Sequence, residues 1–385
     1  MKIAIVHDWL TGMRGGEKCL EVFCNLYPEA DLFTLLHLPG RVSPVIESHP
    51  IHTSFIQNLP WVETKYRYYL PLMPFAIEGF NFKGYDLILS SSHCVAKGVK
   101  PGPGSLHICY CHTPMRYIWD QFEQYFARDS SGLIPSVVMR VLRPWLQSWD
   151  VRSSGRVDQF IANSSHVQSR IRKHYNREAT VIHPPVDTGM FAPGEEEAGD
   201  YFLIVSAFAP YKRVDLAVEA FNKLGYPFIV IGEGQEADPL RKMAGSNIRF
   251  KGWLDNAAIR SHYARCRAFV FCGEEDFGIT LLEAQAMGRP VIALGRGGAL
   301  ESVIPDRSTW KPETGIAEHK TSHPTGVFFY EQTPEALTKA IQHFESVESQ
   351  FDPEMIRRHA AQFDVAVYTD RIRNFIEERL KKHRC

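Results

Sequence analysis

At 385 residues the chain is too long for one ordinary core, and 44% apolar with 23% charged residues is the composition of a folded globular protein, not a disordered one. A formal net charge of −1 excludes a global attraction to nucleic acid or to an acidic membrane, while leaving a local basic patch open. No apolar run reaches the roughly 18 residues of a membrane-spanning helix, and the eight scattered cysteines, with Cys109 and Cys111 poorly spaced for zinc, read as reduced thiols.

Met1-Lys2-Ile3-Ala4-Ile5-Val6 breaks at once at His7-Asp8, so it reads as a first buried strand and not as a signal peptide. Gly15-Gly16 opens a helix that continues through Phe23. Ala30 to Leu35, Tyr85 to Ser90, Leu106 to Tyr110, Gln159 to Asn163 and Thr180 to His183 read as further strands. A stretch rich in proline, glycine and charge, His183 to Glu197, reads as an interdomain connection. The alternation then restarts with a strand from Tyr201 to Val205, an amphipathic helix from Val214 to Leu224 and a strand from Pro227 to Gly232. Strands from Ile248 to Gly252, Ala268 to Cys272, Arg289 to Ala293 and Gly326 to Phe329 follow, and Asp364 to Lys382 has helical spacing. Strands alternating with helices predict parallel sheets covered on both faces. The reading is an α/β chain of two doubly wound units: residues 1–185, a linker 186–199, residues 200–363, and a C-terminal helix 364–385 packing back towards the first unit. A large ligand is expected beyond the strand ends, in a cleft between the two.

Four stretches carry chemistry. Glu275 and Glu283 straddle a strand-to-helix turn. Between them Phe277, Gly278 and Ile279 offer backbone N–H groups to an anion or a sugar oxygen. Carboxylates suit vicinal hydroxyls and amides suit phosphates; the alternative is an acidic helix start. Lys212 and Arg213 lie between a strand end and a helix start, where two cations are unfavourable without an anion such as a diphosphate; a solvated basic turn is the alternative. Gly15-Gly16 forms a loop whose amides suit a phosphate. His112, at a strand end with Arg116 and aromatics close behind, suits donation to a sugar or a leaving oxygen; a structural histidine is the alternative. Gly232-Glu233-Gly234-Gln235-Glu236-Ala237 fits a dinucleotide pattern but follows an interior strand, so the loop is read as lying along a nucleotide, with Gly252-Trp253-Leu254 at the base.

Together these motifs resemble the GT-B glycosyltransferases of family 4, the retaining group with an E-x7-E motif, over nearly the whole chain. The resemblance is closest to bacterial mannosyltransferases of the WbaZ type, through His7-Asp8-Trp9-Leu10 with Gly15-Gly16-Glu17, Tyr110 to Tyr117, Glu274 to Gly278 with Glu283-Ala284-Gln285, and Gly295 to Glu301. It implies two facing Rossmann-like domains. It assigns Glu275 to donor-sugar hydroxyls, Glu283 to the ribose, Lys212 to the diphosphate and His112 to the sugar near its anomeric carbon, with Asp8 and Arg116 nearby. Ala207 stands where the wider family often has an arginine. The implied activity is transfer of a hexose, most simply mannose from GDP-mannose, with retention, no metal and no cofactor beyond the nucleotide sugar. The implied acceptor is a lipid-linked glycan or oligosaccharide of a surface polysaccharide. Readings left open are a UDP-sugar donor, an NAD-dependent oxidoreductase built on the Gly232 loop, and an inactive sugar-nucleotide-binding subunit. No nucleic-acid partner is expected. The expected location is the cytoplasm, with peripheral contact at the inner face of the membrane through Lys65 to Phe75 and Met139 to Leu146, unless these are core segments with snorkelling cations.

Overall fold

A computed structural model describes residues 1–126, 133–194, 199–318, 321 and 323–384 of the chain. Residues 195–198 of the expected linker lie outside the described residues. The chain forms two compact units, residues 1–184 with 368–385, and residues 185–367.

In the first unit, β1 (Ile3–His7), β2 (Asp31–Thr34), β3 (Ile51–Thr53), β4 (Leu87–Ser92), β5 (Leu106–Cys111), β6 (Gln159–Ala162) and β7 (Ala179–Val181) form one sheet. Its order is β3-β2-β1-β4-β5-β6-β7, and every pairing is parallel. Strands β1, β4 and β5 are buried along their whole length, as expected of parallel strands covered on both faces. β3 was not expected: Ile51-His52-Thr53 has one apolar residue, and it is held at the sheet edge by pairing with Leu32 to Thr34. The helix Gly15–Leu26 follows β1 and buries Cys19, Leu20 and Phe23. The last helix, Val365–Arg384, leaves the second unit, and from Tyr368 onward it belongs to the first, where Tyr368 packs on Tyr110 with ring centroids 5.7 Å apart.

The second unit holds β8 (Phe202–Val205), β9 (Phe228–Ile231), β10 (Ile248–Gly252), β11 (Ala268–Phe271), β12 (Val291–Leu294) and β13 (Gly326–Phe329) in the order β10-β9-β8-β11-β12-β13, again all parallel. Chain order reverses between β8 and β11, and in the first unit between β1 and β4. Such switch points leave a crevice at the strand carboxyl ends, where ligands of doubly wound sheets bind. The loops that follow β8 and β11 carry Lys212 and Glu275, so the topology alone brings these two stretches together. Among the described residues no helix is long and apolar enough to cross a membrane.

Candidate functional site

In the second unit Lys212 closes a short 3-10 turn, Pro210–Lys212, and forms an ion pair with Glu275. Both side chains are mostly shielded from solvent, at 17% and 18% exposure, so screening is reduced. The two loops touch along their backbones: a Cβ at Gly273 would lie 3.1 Å from Lys212 Cα. On the other side the Glu275 carbonyl accepts from Gly298 N at 2.8 Å. A Cβ at Gly298 would fall 2.1 Å from Phe277 Cα, so the glycine-rich stretch from Gly295 to Gly298 is packed as a floor under the turn.

Gly278 adopts φ 86°, a left-handed conformation natural to glycine, and starts the helix Ile279–Ala286, which has no side-chain cap. A helix start without a side-chain cap turns its first amides and its positive dipole end out of the turn. Phe277 is buried, with its ring 5.8 Å from that of Phe363. Glu283, one turn into the helix, is buried and accepts a 3.2 Å hydrogen bond from Tyr263 OH. Burial, and then the adjacent carboxylate, push the Tyr263 phenol well above its ordinary value.

Three expectations for this unit change. Arg213 does not form a two-cation clamp with Lys212: it takes the left-handed conformation, φ 53°, and its guanidinium is bound by Asp215 at 3.0 and 3.1 Å. Gly232 is needed for packing, since a Cβ there would lie 1.8 Å from Ser206 O, and its N–H donates to Gly252 O at 2.9 Å. A dinucleotide fingerprint belongs after the first strand of such a unit, here β8, whereas Gly232 follows β9; the nicotinamide reading therefore lacks its structural context. At the proposed base position the main chain is engaged, Gly252 O by Gly232 N and Trp253 N by Glu233 Oε1 at 3.4 Å. What points outward is the Trp253 indole, 72% exposed, while Leu254 packs on the core.

In the first unit Gly16 and His112 meet: a Cβ at Gly16 would be 3.7 Å from His112 Nε2. Gly15 begins the helix beside them. His112 follows β5, donates its backbone N–H to Ser92 O at 2.8 Å, and accepts Asn163 Nδ2 at 3.0 Å. Arg116 is partly exposed. Burial, with the Arg116 and Arg14 charges nearby, pushes His93 down to about 3. Asp8 departs from the sequence reading. It is fully buried, and its carboxylate accepts the backbone N–H groups of His93, Cys94, Val95 and Ala96 at 2.6 to 2.9 Å. It holds the turn after β4 in place and is not presented to a ligand.

The family described as Glycosyltransferase Family 4 matches residues 33–189, and that described as Glycosyl transferases group 1 matches the adjoining residues 187–362. The chain belongs to the family 4 glycosyltransferases. Among relatives, O-antigen chain mannosyltransferase C of Escherichia coli is 30% identical over 169 residues, 39% of this chain and 45% of that protein. A GDP-mannose-dependent alpha-mannosyltransferase of Mycolicibacterium smegmatis is 27% identical over 197 residues, 48% of this chain and 52% of that protein. The matched segments thus span about half the length of these curated relatives. Anabaena HepE, solved in complex with UDP, shares the fold: TM-score 0.70 at 16% identity, covering 98% of this chain and 100% of that one. The architecture is GT-B, as the resemblance implied.

Several residues in and around the family 4 motifs were given no role by the sequence. Tyr263, on the helix Asn256–Arg265, fixes Glu283 from a different element. His7, Ser91 and His93 line the carboxyl ends of β1 and β4 beside His112. Glu17, 3% exposed, belongs to the first turn of its helix and accepts Arg14 N at 3.0 Å. The available signal was positional: polar residues that interrupt an apolar strand at its carboxyl end, as His7 and Ser91 do.

Proposed function

We propose that this family 4 glycosyltransferase moves a mannosyl residue from GDP-mannose to a lipid-linked or oligosaccharide acceptor in surface-polysaccharide synthesis, with retention of configuration and without a metal. The observation that carries the reading is the Lys212–Glu275 pair beside the uncapped start of the helix Ile279–Ala286. An arriving diphosphate gives Lys212 a better anion, and the helix amides add positive potential to the same oxygens. Glu275, released from the lysine, accepts from donor-sugar hydroxyls, and Glu283 accepts from a ribose hydroxyl. As the sugar–phosphate bond breaks, negative charge grows on the leaving diphosphate, where Lys212 and the amides stabilise it without reorganising. The departing phosphate then takes the acceptor proton.

Mannose is favoured by the names of the relatives from Escherichia coli and Mycolicibacterium smegmatis. A UDP-sugar donor is the second reading, favoured by the UDP complex of the HepE fold neighbour. On the acceptor side, Trp61, Tyr68, Leu72 and Phe75 are exposed, as is Val141 on the helix Leu133–Ser154. Phe75 stacks on Trp145 with centroids 5.6 Å apart, joining the two aromatic and cationic stretches. Aromatics with Lys65, Arg67 and Arg140 suit an anionic bilayer surface carrying a lipid-linked glycan.

A melting-temperature screen with GDP, UDP, GDP-mannose and NAD tests the donor. Stabilisation amounts to about 2.7 kcal/mol at a hundredfold excess over the dissociation constant. GDP and GDP-mannose are expected to stand out; stabilisation by UDP alone moves the donor to a UDP-sugar, and by NAD alone overturns the transferase reading.

A further inference from the structure

A line of polar side chains leads inward from His112 across the carboxyl ends of the first sheet. His112 Nε2 lies 2.8 Å from Ser91 Oγ, and Ser91 Oγ lies 3.1 Å from His7 Nδ1. The sheet register sets this up, because His7 and Ser91 are paired across β1 and β4. Beyond them His7 Nε2 lies 3.7 Å from Glu17 Oε1, with both side chains buried, at 0% and 4% exposure. That separation is Coulombic contact and not a hydrogen bond, and His7 Nε2 has no hydrogen-bond partner among the described residues.

A serine hydroxyl has one hydrogen, so Ser91 donates to one imidazole and accepts from the other. Glu17 decides which. Burial alone would raise its carboxyl, but the facing His7 ring holds it below its ordinary value. A neutral imidazole carries one N–H and one lone pair. A lone pair turned towards a carboxylate in a closed interior sets two negative ends against each other, so the hydrogen sits on His7 Nε2 and Nδ1 is the acceptor. Ser91 then donates to His7, and its oxygen accepts from His112. His93 stands outside the chain: its Nδ1 is 3.1 Å from Asp8 Oδ2, and its ring is 6.4 Å from that of His112.

We propose that Glu17 is a positioning residue which, through His7 and Ser91, holds His112 as the tautomer with its hydrogen on Nε2 and its acceptor on Nδ1. A His112 held this way meets a sugar hydroxyl by accepting its hydrogen, the reverse of the donation expected from the sequence. That consequence rests on the reading that His112 contacts the donor sugar; the tautomer itself is a property of the free protein.

The test uses the full chain labelled with 15N-histidine, with His112 assigned from its loss in His112→Asn. Long-range proton–nitrogen spectra should show His112 Nε2 protonated and Nδ1 bare. In Glu17→Gln the amide oxygen keeps the contact to Arg14 N, at 3.0 Å in the parent, which turns the NH2 group towards His7 Nε2. The His7 hydrogen then moves to Nδ1, Ser91 reverses, and the two His112 nitrogens exchange their resonance ranges. Adding Ser91→Ala cuts the chain, so Glu17→Gln should no longer change His112. A parent His112 protonated on Nδ1, an unchanged His112 in Glu17→Gln, or an inversion that survives Ser91→Ala overturns the proposal. If Glu17→Gln does not fold, Ser91→Ala alone decides: His112 must pass from one form to a mixture. Failure of nucleotides to bind, with this tautomer pattern intact, would count against the transferase reading and not against the relay.

Discussion

Adding one methyl group at Gly298 should displace the turn that carries Glu275. The backbone there is ordinary, φ −66° and ψ −17°, so alanine is conformationally acceptable and only space forbids it. The new Cβ would lie 2.1 Å from Phe277 Cα and 2.6 Å from both Phe277 N and O. Reaching an ordinary 3.4 Å contact requires the two loops to part by about 1.3 Å. Overpacking costs about 1–3 kcal/mol, and an obstacle made of backbone places Gly298→Ala at the upper end. For a unit of this size that lowers the melting temperature by about 6–12 °C. The displacement also moves Glu275 away from Lys212, and misplacement by about 1 Å costs on the order of a hundredfold in turnover. Gly315→Ala is the control: at φ +74° with nothing within 4 Å it meets only the left-handed backbone penalty, about 1–2 kcal/mol, and should leave turnover alone. The assay is a thermal melt with and without GDP-mannose, followed by transfer kinetics. A Gly298→Ala protein that melts with the parent and turns over normally would refute the packed-floor account of the turn.

Four further outcomes are expected. Tyr263→Phe removes the 3.2 Å hydrogen bond to Glu283, costing about 2 kcal/mol in stability and raising the KM for the nucleotide sugar; an unchanged KM would detach Glu283 from the ribose. His107, fully buried between Ser90 and the Arg156 carbonyl, is held down to about 4 by burial, against 6.5 when unperturbed. The unfolded chain therefore binds a proton below pH 6.5 that the folded chain refuses until about pH 4, so this group removes about 3 kcal/mol as pH falls through that window. Urea unfolding at about pH 7 and about pH 5 should show about 2 kcal/mol of that loss in the parent and less in His107→Gln. Treatment with EDTA should leave transfer unchanged; activity lost to the chelator and restored by magnesium would sink the metal-free mechanism. Trp61→Ala combined with Phe75→Ala should weaken sedimentation with anionic liposomes at least about tenfold, and binding equal to the parent would return this face to an ordinary surface.

Much of the candidate site was legible because its residues sit where a doubly wound sheet exposes its loops. Lys212 and Glu275 each follow a buried strand, and such loops lie at the carboxyl edge whatever the remaining sequence does. Arg213 was legible as a cation but not in its destination, since its pairing with Asp215 depends on a left-handed residue at a helix start. Asp8 has the composition of a ligand-facing residue, but it caps four amides that lie 85 to 88 residues further along the chain. The edge strand β3 was missed because one isoleucine in three residues makes no pattern.

The amino-acid order by itself determined the two parallel α/β units and the loops that bear charge, because strands buried on both faces must be continuous apolar runs and their loops must not be. Tertiary structure alone decided which of those polar groups meet. His7 and Ser91 are 84 residues apart, and Tyr263 and Glu283 stand on different helices. Hydrogen bonds act over about 3 Å, a scale on which sheet register and helix packing choose the partners and no local pattern in the chain does.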